Sequence, residues 1–83
     1  MFIEIVTPDE KVFEGEVVSA TFPGSDGSFQ ILNGHAPIVA TLGKGDIKYQ
    51  QEKQKEVNIL VDGGVVEVMH NKVNVLVEKV VEE

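Results

Sequence analysis

Eighty-three residues suffice for one domain with one small core, and at 42% hydrophobic residues with no cysteine or tryptophan that core is aliphatic. Fourteen acidic side chains against seven lysines give a formal charge of -7, which argues against nucleic acid and anionic lipid, since both demand basic patches. Two histidines and no cysteine leave a poor ligand set for a metal, and no apolar run reaches the ~18 residues of a membrane span, so neither a metal site nor direct membrane insertion is expected.

Along the chain the apolar period is two almost throughout, and no segment keeps a 3.6-residue stripe long enough for a helix. Phe2 to Val6 reads as a first strand, stopped by Thr7-Pro8-Asp9. Lys11 to Phe13 is a short second piece before Gly15. Glu16 to Phe22 is a third, with Val18, Ala20 and Phe22 on one side and Val17, Ser19 and Thr21 on the other. Pro23-Gly24 and Asp26-Gly27 are turn dipeptides, because proline presets a negative φ and glycine accepts the positive φ of tight turns. Ser28 to Leu32 follows as a strand with Phe29 and Ile31 on one face. Asn33-Gly34 is a second turn signal, and Pro37 straightens Ala36 into the strand Ile38 to Leu42.

Gly43-Lys44-Gly45-Asp46 reads as a turn. Beyond it, Ile47 to Gln51 and Glu56 to Val61 form a hairpin about the polar segment Glu52-Lys53-Gln54-Lys55, with Val57, Ile59 and Val61 directed to the core. Gly63-Gly64 is read as a tight turn, with Asp62 as its acid. A last hairpin, turned at His70-Asn71-Lys72, continues the pattern through Val66, Val68, Val73, Val75 and Val77, and Val77 to Glu83 is a strand end with a frayed acidic tail. The expectation is a single all-β domain over residues 1–83, an antiparallel sandwich or flattened barrel of about nine to ten short strands.

The residues from Gly24 through Pro37 carry the functional signal. Gly24-Ser25-Asp26-Gly27-Ser28-Phe29-Gln30-Ile31-Leu32-Asn33 runs into Gly34-His35-Ala36-Pro37 in the order of a block that resembles the epsilon subunit of F-type ATP synthases, called delta in mitochondria. Phe2 to Val6 with Pro8 and Val12-Phe13-Glu14-Gly15 resembles the opening hairpin of that family. Asp62-Gly63-Gly64-Val65-Val66-Glu67-Val68 and Lys72-Val73-Asn74-Val75-Leu76 resemble its later segments, so the match covers nearly the whole chain.

The resemblance implies a ten-stranded sandwich in the central stalk, clamping the gamma subunit to the c ring so that ion-driven rotation reaches the catalytic head. It implies a peripheral position on the cytoplasmic side of the membrane and no cofactor. Position by position, Ser25, Asp26, Gly27, Ser28 and Phe29 face the c ring, and His35, Ala36, Pro37, Ile38, Val39, Ala40, Thr41 and Leu42 lie against gamma. Gln30 and Asn33 depart from glycine and proline found in many members. Most bacterial relatives continue into a pair of C-terminal helices that block ATP hydrolysis; nothing here builds such a hairpin, so no inhibitory brake is expected.

Catalysis by the chain alone finds little support. Ser25, Asp26 and His35 form a triad only on paper, Gly-x-Ser-x-Gly is absent, and Gly43-Lys44-Gly45-Asp46 lacks the residues of a phosphate loop. His35 reads more simply as a turn histidine bonded to nearby backbone, and His70 as a solvated hairpin residue. The alternative function is a free-standing β-sandwich adaptor holding a peptide or glycan, although such modules usually show exposed aromatics and this chain has four phenylalanines and one tyrosine.

Overall fold

In the computed structural model, which describes residues 1–81, alternating valines and isoleucines build seven strands: β1 (Phe2–Val6), β2 (Lys11–Glu16), β3 (Ser19–Phe22), β4 (Phe29–Leu32), β5 (Ile38–Gln50), β6 (Val57–Met69) and β7 (Lys72–Val77). They form one sheet in the order β2-β1-β7-β6-β5-β3-β4. The sheet folds back on itself as a sandwich. Phe13 of β2 stacks on Tyr49 of β5 with ring centroids 4.2 Å apart, although these strands are not neighbours in the sheet.

Two strands are far longer than their local sequence suggests. β5 and β6 are 13 residues each and pair antiparallel from Ile38↔Val68 to Tyr49↔Val57 without a shift of register. Gly43 to Asp46 is therefore part of β5, and Asp62-Gly63-Gly64 is part of β6; neither is a turn. The glycines bend this long hairpin from one layer into the other. One half of it pairs with β7 through Gly64–Met69, and the other pairs with β3 through Lys48–Gln50. A Cβ on Gly64 would lie 2.5 Å from the Leu76 carbonyl oxygen and 3.0 Å from the Val77 Cα, and its φ is +152°, so this corner admits only glycine. Counted by halves, the two long strands supply four of nine strand segments, which reconciles seven strands with the expected nine.

Three further expectations are corrected. The sheet is mixed, because β1 runs parallel to β7, and it does not close into a barrel, because β2 and β4 are its free ends. Val18 faces solvent at 47% exposure while Val17 is buried, since the chain changes layers there: the Val17 N–H donates to the Met1 carbonyl and the Val18 N–H to the Gln50 carbonyl. The alternation slips by one at that crossing. The segment after β7 is tied down rather than frayed, since Asp62 N–H donates to Lys79 O, Val81 N–H to Leu60 O, and Val80 bridges Val61; Glu82 and Glu83 lie outside the described residues.

The core between the layers contains Ile3, Ile5, Val66, Val68, Val73, Val75 and Val77 from one side, met by Ala20, Phe22, Ile31, Ile47 and Val61 from the other. Apart from the Tyr49 phenol, no polar side chain is buried among the described residues. Val57 is 40% exposed at its strand end, whereas Ile59 is half-buried and Val61 fully buried, so the expected inward set fills in only along the strand.

Candidate functional site

The glycine-rich loop and the start of β5, separate in the sequence, form one surface. Gly27 N–H donates to Gly24 O at 3.0 Å and closes the turn over Ser25 and Asp26. Ser25 N–H donates to Thr41 O at 2.9 Å, Gly43 N–H to Pro23 O at 2.8 Å, and the Thr41 hydroxyl donates to the Ser25 hydroxyl at 3.0 Å. The loop is thus hydrogen-bonded directly onto β5. Gly24 makes this possible: a Cβ there would fall 2.5 Å from Gly27 O and 2.8 Å from the Phe29 ring.

Ser25, Asp26, Gly27 and Ser28 are exposed, as the sequence places them, whereas Phe29 is half-buried and its ring packs against Phe22 at 5.6 Å. Phe29 therefore supports the loop from beneath. In the second segment His35, Ala36, Pro37, Val39 and Thr41 are exposed, Ile38 and Ala40 are half-buried and pack on the core, and Leu42 is inside it at 5% exposure. Within the first residues of β5, Val39 and Thr41 turn outward between Ile38, Ala40 and Leu42 because the strand is pleated with the core on one side. A concavity of about 410 Å³ lies between the two segments, lined by Asp26, Gly27, Phe29, Val39 and Thr41 among others.

Val39 is the most prominent apolar side chain here, 68% exposed, and its backbone is also open. Thr41 gives its carbonyl to Ser25 rather than to β6, so by the alternation of an antiparallel ladder Val39 turns its N–H and C=O the same way. Among the described residues no strand pairs with Ile38–Ala40 on that side. An open strand edge with an exposed valine offers a partner both main-chain hydrogen bonds and apolar area.

The polar side chains of the two segments engage in local hydrogen bonds. His35 Nδ1 lies 2.7 Å from the Ala36 carbonyl, which can only accept, so Nδ1 carries the proton and the ring is held in its own turn. The Ser25 hydroxyl oxygen accepts from the Thr41 hydroxyl. Among the described residues no group of three or more His, Cys, Asp or Glu is placed to hold a metal ion. Lys11 sits between Glu4 and Glu14, and hydrogen bonding to Glu14 first and Glu4 second raises its pKa above the ordinary lysine value.

Two features escaped the sequence reading. Across the outer face of the β1-β7-β6-β5 layer, Val6, Leu76, Val65 and Thr41 stand side by side in register, an apolar row that ends at the loop-bearing threonine. Its signal was present in outward-facing Leu76 and Val65, which break the polar half of the alternation. The other feature is Asn71, whose side chain reaches the turn before His35 and accepts from Gly34 N–H at 2.9 Å. No local pattern announces a contact 37 residues away.

Residues 1–83 match the family described as ATP synthase, Delta/Epsilon chain, beta-sandwich domain. The chain belongs to this family. The ATP synthase epsilon chain of Chlorobium limicola is 42% identical over 94% of this chain and 89% of its own length. That of Leptospira borgpetersenii is 44% identical over 92% of this chain but only 59% of its own length, so the delta/epsilon-type domain spans little more than half of that longer relative. Among solved structures, a chain of the Euglena gracilis mitochondrial ATP synthase OSCP/F1/c-ring structure aligns with a TM-score of 0.88 at 23% identity, over 95% of this chain and 51% of that one. At that identity the likeness is one of fold.

Proposed function

We propose that this chain is a rotor part of an F-type ATP synthase, clamping the gamma subunit to the c ring in the central stalk, with the complex peripheral on the cytoplasmic side of the membrane. The observation that carries the proposal is the direct hydrogen bonding of the Gly24–Gly27 loop onto Thr41 and Gly43 of β5. A coupling part must pass force between two partners without yielding. Here the loop proposed for the ring and the strand edge proposed for gamma share backbone hydrogen bonds, with no flexible linker between them.

Within that reading, Ser25, Asp26, Gly27 and Ser28 meet the ring, where an acidic residue in a short loop sets orientation against basic partner side chains. His35, Ala36, Pro37, Val39 and Thr41 meet gamma, with Ile38, Ala40 and Leu42 holding the strand from the core side. Small and β-branched residues let a partner backbone approach closely and exclude water. The relatives' name, ATP synthase epsilon chain, supports the same assembly.

Binding to purified gamma subunit from the same cell tests the proposal. Formation of a complex that loses affinity on Val39→Asp supports it; a folded wild-type chain that ignores gamma leaves the adaptor alternative.

A further inference from the structure

We propose that Asn71 is a positioning residue that clamps the Asn33-Gly34-His35 turn in its partner-ready shape; the partner part of this inference rests on the rotor reading. Leu32 and His35 close that turn, with the His35 N–H donating to the Leu32 carbonyl at 3.1 Å and Gly34 at φ +78°. Nothing in the turn itself satisfies the Gly34 N–H. Asn71 Oδ1 accepts it at 2.9 Å, and Asn71 Nδ2 donates at 2.8 Å to Asn33 Oδ1. Asn33 Oδ1 also accepts from the Met1 ammonium at 3.0 Å.

The orientation of the Asn71 amide follows from its partners. A backbone N–H only donates, so the oxygen must face Gly34 and the nitrogen must face Asn33. One side chain therefore grips two consecutive residues of the turn with opposite polarity, which fixes position and rotation together. Asn71 is itself held by its hairpin, where His70 and Asn71 have φ of 49° and 62° between the paired residues Met69 and Lys72. Both central residues at positive φ make the two-residue turn that matches strand twist.

Local turn preference alone does not account for the contact. Glycine performs the backbone task of this hairpin position at least as well as asparagine, and it does so without a side chain. What asparagine adds is the reach from the β6–β7 turn to the turn leading into His35, Ala36, Pro37 and the open edge of β5. Preorganising an exposed turn lowers the ordering cost of binding.

The test compares Asn71→Gly and Asn71→Asp with the wild type, by amide hydrogen exchange in the isolated chain and by affinity for purified gamma. Asn71→Gly should stay folded with its melting midpoint lowered by only a few degrees, expose the Gly34 amide to roughly tenfold faster exchange, and weaken gamma binding by roughly fivefold, the loss expected of a net hydrogen bond or so. Asn71→Asp keeps the acceptor for Gly34 and should restore most of the exchange protection. Wild-type exchange at Gly34 in Asn71→Gly overturns the clamp. Faster exchange with unchanged gamma affinity overturns the positioning role. If the wild type does not bind gamma, the rotor reading and the partner role fall together, while the exchange comparison still decides the clamp.

Discussion

The Thr41 hydroxyl donates to the Ser25 hydroxyl at 3.0 Å while the Thr41 carbonyl accepts from the Ser25 N–H at 2.9 Å, so one residue of β5 holds the loop by both backbone and side chain. Thr41→Val removes the side-chain bond and leaves the backbone one. Because both groups are exposed, the cost to stability should stay near or below about 1 kcal/mol. Faster amide exchange at Ser25 and Asp26, with the rest of the chain unchanged, is the expected signature.

Gly24→Ala should do more damage. Its Cβ would meet Gly27 O at 2.5 Å and two atoms of the Phe29 ring below 3 Å, so either the turn opens or Phe29 leaves Phe22. A loss of about 2 kcal/mol is expected from such overpacking, read as a lower denaturant midpoint at unchanged slope.

At the corner of the long hairpin, Gly64→Ala sets a methyl 2.5 Å from the Leu76 carbonyl, where only backbone can move. The strain at φ +152° adds to the clash. A loss of about 3 kcal/mol is expected, greater than for Gly24→Ala, because the β6–β7 ladder itself must shift. Thermal melts of the two variants side by side check the order.

Tyr49 supplies a pH dependence. Burial raises its phenol pKa above the ordinary value of 10.0. The folded state then holds the proton more tightly than the unfolded state, so this contribution is complete below the unfolded pKa and is lost as pH rises through the folded one. Stability should fall above about pH 10, and Tyr49→Phe should remove part of that fall while keeping the stack on Phe13. Urea midpoints between neutral and strongly alkaline pH measure the difference.

Much of the fold was legible because most strands bury one face. Ile3 and Ile5, Phe29 and Ile31, and Val73, Val75 and Val77 all lie on the side that period two assigns. The reading failed where glycine served a different purpose from turning. Gly43, Gly45, Gly63 and Gly64 bend a continuous hairpin between layers, and a composition of turn residues does not distinguish a bend from a stop. Val18 was misplaced because a strand crossing between layers slips its alternation, and only the bonds of Val17 to Met1 and Val18 to Gln50 reveal the slip. The family block named the residues of the candidate site, yet its division into an expected ring surface and an expected gamma surface hid the contact of Ser25 with Thr41. Contacts of 16 and 37 residues' separation are properties of the folded sheet.

The most direct measurement is the affinity of this chain for the gamma subunit from the same cell, by calorimetry, with wild type and Val39→Asp compared. Val39 is 68% exposed on an open edge, so the substitution should leave the fold intact by circular dichroism while placing an unpaired carboxylate in the proposed contact. The account predicts a wild-type complex weakened at least tenfold by Val39→Asp, about 1.4 kcal/mol or more. A folded wild type that does not bind gamma, or a complex indifferent to Val39→Asp, would contradict it.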